Sequence, residues 1–257
     1  MRIKDICLEM EKLAPFSLAE EGDNIGLLVG NEDAECTGVM IALDCTLDVV
    51  RQAAAAGANL IVVHHPFIWN AMRRIDTSEP VGKVVDALLK NGMHLYCAHT
   101  NLDAADKGNN STLSDMLGAV KKRREGIGYV AQFDKKIKLS ELAKRVSSVL
   151  GDKAVKVAGD SKKTIKTAYI ISGGGGGDSE WYETAKRCAD VFITGDVKHY
   201  IFINAVLDDF PVIEFSHYYS EIISSSIIFE HLKSAFGGFN IKIAKQKCPY
   251  STLEELN

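Results

Sequence analysis

The stretch that most constrains the fold is Leu60-Ile61-Val62-Val63-His64-His65-Pro66, an apolar run that ends in two histidines and a proline. Its apolar residues do not alternate with polar ones, which is typical of a strand buried on both faces of a parallel sheet. A helix-like segment over residues 47–57 precedes the run and supports a βα pattern. Ligands of such sheets gather beyond the carboxyl ends of the strands, where His64 and His65 would lie.

Two adjacent histidines do not by themselves indicate a site. Successive strand residues point to opposite faces, so His64 and His65 can share a site only where the chain leaves the ladder. Pro66 favours such a departure because it cannot donate to the ladder. In isolation, one histidine capping the sheet and one solvated histidine explain the sequence more simply. A functional site therefore needs partners from elsewhere in the chain.

Composition limits the classes of protein to which the chain can belong. The chain has 257 residues and 46% hydrophobic content, enough for a substantial core in one large or two smaller domains. Its formal charge of −4, with 30 basic and 34 acidic residues, gives no electrostatic case for nucleic-acid or membrane-surface binding. The basic run Lys121-Lys122-Arg123-Arg124 is interpreted as a solvated linker or a helix end. The six cysteines lack a C-x-x-C pair and are interpreted as reduced thiols.

The chain shows no long apolar segment. The N-terminal residues lack the apolar core of a secretion signal, and no stretch approaches membrane-spanning length. A cytoplasmic location is therefore expected.

The pattern of strands and helices restarts near residue 127, and the chain is interpreted as an α/β protein of two α/β (α+β) domains, the second treated as an insertion in the first. Residues 1–126 plus 208–257 would form the metal-binding domain, and residues 127–207 the smaller inserted domain. A metal site is expected at the carboxyl ends of strands, near the domain interface. The glycine run Gly173–Gly177 fits neither a dinucleotide nor a P-loop signature, so it is interpreted as a flexible or close-packed turn.

Three predicted strand ends carry ligands of the kind that metals prefer. They are His64 with His65, Asp103 with His99 nearby, and His217 with Glu221. The i,i+4 spacing of the last pair puts both side chains on one face of a helical turn. Each pair alone could be an ordinary surface or loop feature; jointly they favour a metal site.

The donor types suggest which metal. Three imidazoles and two carboxylates without a thiolate suit Zn, Fe, Mn, Co or Ni. Five ligands exceed the need of one zinc, and a shared carboxylate would let them hold two ions. Asp44, which follows its own strand, and His99 are candidates for orienting ligands or carrying protons.

The remaining histidines are weaker candidates. His94 lies inside a predicted strand and His231 inside a predicted helix, so both are interpreted as structural. For His199 the sequence favours neither a structural role nor a role as a metal ligand.

Several motifs occur together in one order along nearly the whole chain. They are Asp23-Asn24-Ile25-Gly26-Leu27-Leu28-Val29-Gly30, Val63-His64-His65-Pro66-Phe67, His99-Thr100-Asn101-Leu102-Asp103 with Gly108 and Asn110, Thr194-Gly195-Asp196, and His217-Tyr218-x-x-Glu221. In these motifs the chain resembles the NGG-one-interacting factor three family. Bacterial and archaeal members of that family are labelled dinuclear-metal-centre hexameric proteins or GTP cyclohydrolase 1 type 2 homologs. Gly22 and Ser216 depart from the residues common in the family, and neither departure removes a ligand.

The resemblance carries further expectations. It implies that His65 and Asp103 hold one metal and that His64 and His217 hold the other, with Glu221 bridging. It also implies two α/β domains, the second inserted in the first, and a toroidal homohexamer built as a trimer of dimers.

These features together predict a dinuclear-metal-dependent hydrolase that acts on a nucleotide or another phosphorylated small molecule. The family label points to GTP, with opening of the imidazole ring and loss of formate. Phosphoester hydrolysis would use the same ligands. The alternative is a non-catalytic, metal-binding hexameric scaffold or regulatory partner. Nucleic-acid binding in the opening of a ring is weakened by the acidic net charge.

Overall fold

The computed structural model describes residues 1–252, which divide into two compact units. The first unit comprises Met1–Gly108 with Ser224–Lys247. The second comprises Asn109–Ile223 with the described part of Cys248–Asn257. Each unit has its own sheet and its own hydrophobic core.

The first unit is a five-stranded sheet covered by helices on both faces. Its elements are α1 (Ile3–Leu13), β1 (Gly26–Val29), β2 (Val39–Ala42), α2 (Leu47–Ala55), β3 (Leu60–Val63), α3 (Pro80–Lys90), β4 (His94–Cys97), α4 (Thr100–Ala104), α10 (Ile223–Phe236) and β11 (Ile241–Ile243), with a 3-10 turn at Phe16–Leu18. The strand order is β1-β4-β3-β2-β11. β1 pairs antiparallel with β4, and the other pairs are parallel.

Strand β3 is the centre of this core, since its four side chains are all fully buried. Leu60 and Val62 pack in one cluster with α1 and α10, while Ile61 and Val63 pack in another with α2 and α3. Burying an aliphatic side chain of this size stabilises a fold by roughly 1.5–3 kcal/mol. The prediction of a strand buried on both faces of a parallel sheet is confirmed.

The second unit is built on a six-stranded mixed sheet. Its elements are α5 (Asn109–Met116), β5 (Ala119–Glu125), β6 (Gly128–Lys138), α6 (Leu139–Leu150), β7 (Lys156–Ala158), β8 (Thr164–Ile170), α7 (Ser179–Cys188), β9 (Val191–Gly195), α8 (His199–Leu207), β10 (Val212–Phe215) and α9 (His217–Glu221), with a 3-10 turn at Gly175–Gly177. The strand order is β5-β6-β8-β9-β10-β7, and β8, β9 and β10 run parallel. The resulting architecture is mixed α/β in both units, as the sequence predicts.

The second unit extends beyond the inserted domain predicted at residues 127–207. β5 lies before residue 127 and pairs with β6, while β10 lies after residue 207 and pairs with β7 and β9. Pairing between strands that are distant in sequence decides these bounds. The main segment of the unit therefore runs from Asn109 to Ile223. Composition carries no record of strand pairing and could not indicate these bounds.

The basic run at residues 121–124 lies in β5, and its interpretation as a linker or helix end was wrong. β5 is an edge strand of the second sheet, and these four side chains are exposed. Lysine and arginine on an edge strand oppose pairing with a second chain. A run of four like charges lacks the apolar alternation that marks most strands, which explains the error.

Two expectations from the sequence, on the cysteines and on membrane-spanning segments, can be compared with the structure. All six cysteines are free thiols, as the sequence predicts. Across residues 1–252, none of the helices is both long enough and apolar enough to cross a membrane.

Two buried tyrosines provide a matched test of hydrogen bonding in the cores. The Tyr96 hydroxyl has no hydrogen-bond partner among the described residues, whereas the Tyr169 hydroxyl donates to Glu125 O at 2.8 Å. A buried unpaired hydroxyl costs free energy, so Tyr96→Phe is expected to leave the free energy of unfolding unchanged or raise it by about 1 kcal/mol. Tyr169→Phe is expected to lower it by about 1 kcal/mol. Urea unfolding measures both, and equal losses in the two variants would contradict the assignment.

Candidate metal centre

Parallel strands bring the first group of candidate residues to one edge of the first sheet. Asp44 follows β2, His64 and His65 follow β3, and His99 follows β4. The backbone N–H groups of His64 and His65 both donate to the Leu43 carbonyl, at 3.2 and 3.0 Å. The chain therefore leaves the regular ladder at the point where two adjacent histidines must leave it to share a site.

His64 is fully buried and held in one orientation. Its Nδ1 lies 2.8 Å from the Ala98 carbonyl oxygen. Because a carbonyl oxygen can only accept, Nδ1 carries the proton and Nε2 carries the lone pair that a metal would take. Nε2 faces the buried carboxylate of Asp103, with 3.6 Å between Nε2 and Oδ1.

His65 and His99 are each held at Nδ1 by an aspartate. His65 Nδ1 lies 2.7 Å from Asp44 Oδ1, and His99 Nδ1 lies 2.9 and 3.0 Å from the two oxygens of Asp23. Asp23 also accepts from the backbone N–H and the hydroxyl of Thr100. A carboxylate or carbonyl at the second nitrogen is the usual support of a metal-binding histidine.

The three histidines form one compact group. Their ring centroids are 5.2 Å apart for His64 and His65, 5.1 Å for His64 and His99, and 6.0 Å for His65 and His99. One ring nitrogen from each lies within 4.8 Å of the others. Asp103 lies on α4, where its backbone N–H donates to the His99 carbonyl at 3.0 Å. The loop after β4 and the first turn of α4 thus supply one imidazole and one carboxylate together.

Asp23 is the buried anchor of this group. Burial alone would raise the pKa of its carboxyl, but hydrogen bonds from His99 and Thr100 and the charge of His99 lower that pKa to about 2. Asp23 is therefore ionised at neutral pH and holds the His99 ring through Nδ1.

The second unit repeats this arrangement with different residues. The loop after β8 contains Gly173, the loop after β9 contains Asp196, and the loop after β10 leads into α9, which begins at His217. His217 lies between two carboxylates, with Nδ1 2.7 Å from Asp196 Oδ2 and Nε2 2.8 Å from Glu221 Oε2. The predicted placement of His217 and Glu221 on one helical turn is confirmed.

The carboxylates around His217 favour the protonated, positively charged form of its imidazole. Burial lowers the pKa of this imidazole, but the hydrogen bonds to Asp196 and Glu221 and their charges outweigh burial and raise the pKa to about 10. The hydrogen bond from His217 in turn lowers the pKa of Asp196. With Glu221 only 3% exposed, this half-site concentrates negative charge around one imidazole.

Gly173, the first residue of the glycine run, packs closely against the side chain of Glu221. A Cβ on Gly173, whose φ is +66°, would lie 1.9 Å from Glu221 Oε1 and 3.1 Å from His217 Nε2. The Gly173 N–H donates to Ser220 Oγ at 2.9 Å. By contrast, a Cβ on Gly177 would have open space around it. Of the two interpretations of the run, close packing therefore describes Gly173, where the carboxylate needs the room.

The seven residues proposed from sequence divide between the two units. His64, His65, Asp103, His99 and Asp44 belong to the first unit. His217 and Glu221 belong to the second.

The histidines interpreted as structural lie in secondary structure. His94 is in β4, where its Nδ1 accepts from the Asn31 N–H, and His231 is in α10, where its Nε2 lies 3.0 Å from the Glu9 carbonyl. His199 is exposed at the start of α8.

Sequence reasoning gave no role to Asp23 or Asp196. Asp196 follows β9 directly, so its position after a strand could have marked it, in the same way as Asp44. It also has a positive φ of 53°, uncommon for a residue other than glycine. Asp23 lies 76 residues before its partner His99, and no local pattern predicts that pairing.

The donor types in both half-sites are those that a divalent metal takes. Four histidines have Nδ1 bound to an oxygen acceptor, and two of them direct Nε2 at a buried carboxylate. Neutral imidazole and carboxylate without thiolate suit Zn, Fe, Mn, Co or Ni. The residues that would hold such ions are His64, His65 and Asp103 in the first unit and His217 and Glu221 in the second.

The contrast between two glycines tests the second half-site. Gly173→Ala is expected to displace Glu221 and to strain the backbone, weakening Zn²⁺ or Mn²⁺ binding by about 10-fold or more. Gly177→Ala is the matched control, because its Cβ has open space. Metal titration of the chelator-treated proteins measures the effect. Equal metal affinity in the two variants would show that the close packing of Gly173 does not position the Glu221 carboxylate.

Comparison with known proteins identifies relatives along the whole chain. Residues 1–249 match the family described as Duf34/NIF3 (NGG1p interacting factor 3). A Clostridium acetobutylicum protein named GTP cyclohydrolase 1 type 2 homolog is 32% identical over 246 residues, covering 91% of each chain. A Clostridium perfringens protein of the same name is 34% identical over 231 residues, covering 86% of this chain and 87% of the relative.

Solved structures show the same fold. A Bacillus cereus protein related to NIF3 has a TM-score of 0.88 at 20% identity, covering 98% of this chain and 99% of its own. Reduced HcgD from Methanocaldococcus jannaschii has a TM-score of 0.83 at 28% identity, covering 96% and 98%. With a family match from residue 1 to residue 249 and relatives above 30% identity over most of both sequences, the chain belongs to the Duf34/NIF3 family.

Proposed function

We propose that this chain is a dinuclear-metal-dependent hydrolase that acts on a nucleotide or a similar phosphorylated small molecule. His65 and Asp103 would hold one ion, His64 and His217 the other, and Glu221 would bridge them. The assignment of each ligand to an ion follows the family resemblance.

One observation carries the proposal: an oxygen acceptor holds Nδ1 of every histidine in both half-sites. The acceptors are Ala98 O, Asp44, Asp23 and Asp196. Structural histidines need no such uniform support, whereas metal ligands depend on it for orientation and basicity. Asp44 would act in this way, by orienting His65.

When bound, divalent ions supply a nucleophile by lowering the pKa of water toward ~7 and supply positive charge beside a phosphate or a ring electrophile. The protein's own contribution is positional. Buried Asp103 and Glu221 would keep their oxygens in place, and Gly173 leaves the room that Glu221 occupies. The relatives' name favours GTP as substrate, with formate as the product to look for.

His99 is the proposed proton carrier. Asp23, ionised at neutral pH, holds its Nδ1 and would stabilise the positive charge that His99 gains on accepting a proton at Nε2. The pair resembles the carboxylate–imidazole arrangement of general bases, in which the carboxylate orients the ring and stays ionised.

Metal content tests the ligand assignment. Purified protein is expected to contain about two divalent ions per chain, and His64→Ala and His217→Ala are each expected to lower this to about one or fewer. His199→Ala, on the exposed start of α8, is the matched control and should keep both ions. Elemental analysis gives the counts. Full metal content in both ligand variants would contradict the proposed centre.

Turnover tests the hydrolase itself. The metal-loaded protein would be offered GTP, other nucleotides and a generic phosphodiester, with assays for formate and phosphate. Turnover is expected to fall by about 100-fold or more in His64→Ala. Turnover that persists unchanged in His64→Ala or Glu221→Ala would exclude this mechanism.

His99→Gln separates proton transfer from metal binding. Its turnover is expected to fall by about 10²–10⁴-fold while its metal content stays that of the parent protein, because the lost group carries protons and holds no ion. Loss of an ion from this variant would instead make His99 a ligand.

A scaffold is the second candidate, favoured by the family description, which names an interacting factor. Fully metallated protein that turns over none of the substrates would support it.

The family resemblance also leads us to propose a homohexamer, which light scattering after gel filtration would measure.

A further inference from the structure

Trp69 is an exposed aromatic residue beside the histidine group of the first unit. It lies in the loop between β3 and α3, and 60% of its surface is exposed. Its ring centroid lies 5.1 Å from that of His99, and the two ring planes meet at 88°. Because the planes are perpendicular, the imidazole does not stack on the indole, and most of the tryptophan surface stays open to a ligand.

Two consecutive residues hold both members of this pair. Asp23 binds the His99 ring, and Asn24 Nδ2 donates to the Ile68 carbonyl at 2.6 Å, directly before Trp69. The Asp23-Asn24 sequence therefore fixes the imidazole on one side and the backbone next to the indole on the other. This role accounts for a motif that the metal ligands leave unexplained.

The position of Trp69 does little for the stability of the fold. Tryptophan stabilises a core mainly through the apolar area that it buries, and here most of that area stays in water. An exposed indole held beside a polar cluster instead provides a flat surface for stacking. Every nucleobase has a π-face, and stacking on an aromatic side chain is a general way to bind one.

We propose that Trp69 is the platform on which the planar heterocyclic ring of the substrate stacks, beside the histidine group of the first unit. The inference rests on the proposed function, because it names the substrate class of the same site: a nucleotide recognised through its base. A phosphorylated compound without a planar ring would lack this contact.

Charge is the rival explanation for any nucleotide binding. Arg73 and Arg74 follow in the same loop, are exposed, and form no ion pair among the described residues. They would attract phosphates whatever base was attached. A test must therefore separate the ring from the phosphates.

The chain has only two tryptophans, which makes the test direct. Trp181→Phe removes the indole on α7 of the second unit and leaves Trp69 as the only tryptophan fluorophore. This variant is titrated in parallel with guanosine, GTP and inorganic tripolyphosphate. We expect guanosine and GTP to quench the fluorescence and tripolyphosphate to leave it unchanged.

Binding is then measured by equilibrium dialysis in the full chain with both half-sites intact. Trp69→Leu is expected to weaken guanosine and GTP binding by about 10-fold or more, and Trp69→Phe to keep most of the affinity. The double variant Arg73→Ala/Arg74→Ala is expected to weaken GTP binding and leave guanosine binding unchanged. Because Trp69 is exposed, its variants should fold, and circular dichroism checks this.

Three results would overturn the inference. The first is absence of guanosine and GTP binding to the parent protein. The second is unchanged guanosine affinity in Trp69→Leu. The third is quenching by tripolyphosphate as strong as that by GTP, which would assign recognition to charge alone.

Failure of this inference differs from failure of the proposed function. Trp69-dependent binding of guanosine without any turnover would keep the ring platform and reject the hydrolase. Metal-dependent turnover of a phosphodiester, with guanosine affinity unchanged in Trp69→Leu, would keep the hydrolase and reject the platform.

Discussion

The hydrogen bond at Nδ1 of each histidine is the interaction on which the rest of the candidate centre depends. A carbonyl holds His64, and aspartates hold His65, His99 and His217. An imidazole has two nitrogens and can rotate, so an unsupported histidine offers its lone pair in several directions. With Nδ1 bound to an acceptor, the ring has one orientation and Nε2 has one direction.

Parallel strands supply these supports in both units. Ala98 and Asp44 follow strands of the first sheet, and Asp196 follows a strand of the second. Because the carboxyl ends of neighbouring parallel strands meet at one edge, a residue after one strand lies within reach of a histidine after the next. The same arrangement explains why these three supports are close to their histidines although they are distant in sequence. Asp23 differs, because it precedes β1, which runs antiparallel to β4.

The charges in these half-sites have a cost that a cation would remove. Asp103 and Glu221 are almost fully buried carboxylates, and a buried negative charge is unfavourable unless it is paired. In the second unit a protonated His217 pairs with Glu221, as the raised pKa of His217 reflects. A divalent ion at such a place would compete with the proton for the same donors.

Local spacing along the chain is enough to predict two features of the structure. The unbroken apolar run of β3 predicted a strand buried on both faces, and the i,i+4 spacing of His217 and Glu221 predicted one helical turn. Both follow from the fixed periods of strands and helices, which a sequence displays directly.

The tertiary structure alone decided the contacts between distant residues. Asp23 meets His99, Gly173 leaves room for Glu221, and β5 becomes the edge of a sheet that reaches beyond the predicted domain bounds. None of these has a period or a motif, because each depends on how whole elements pack. The sequence therefore identified the candidate histidines and carboxylates, and the packing of the elements decided how each side chain is oriented.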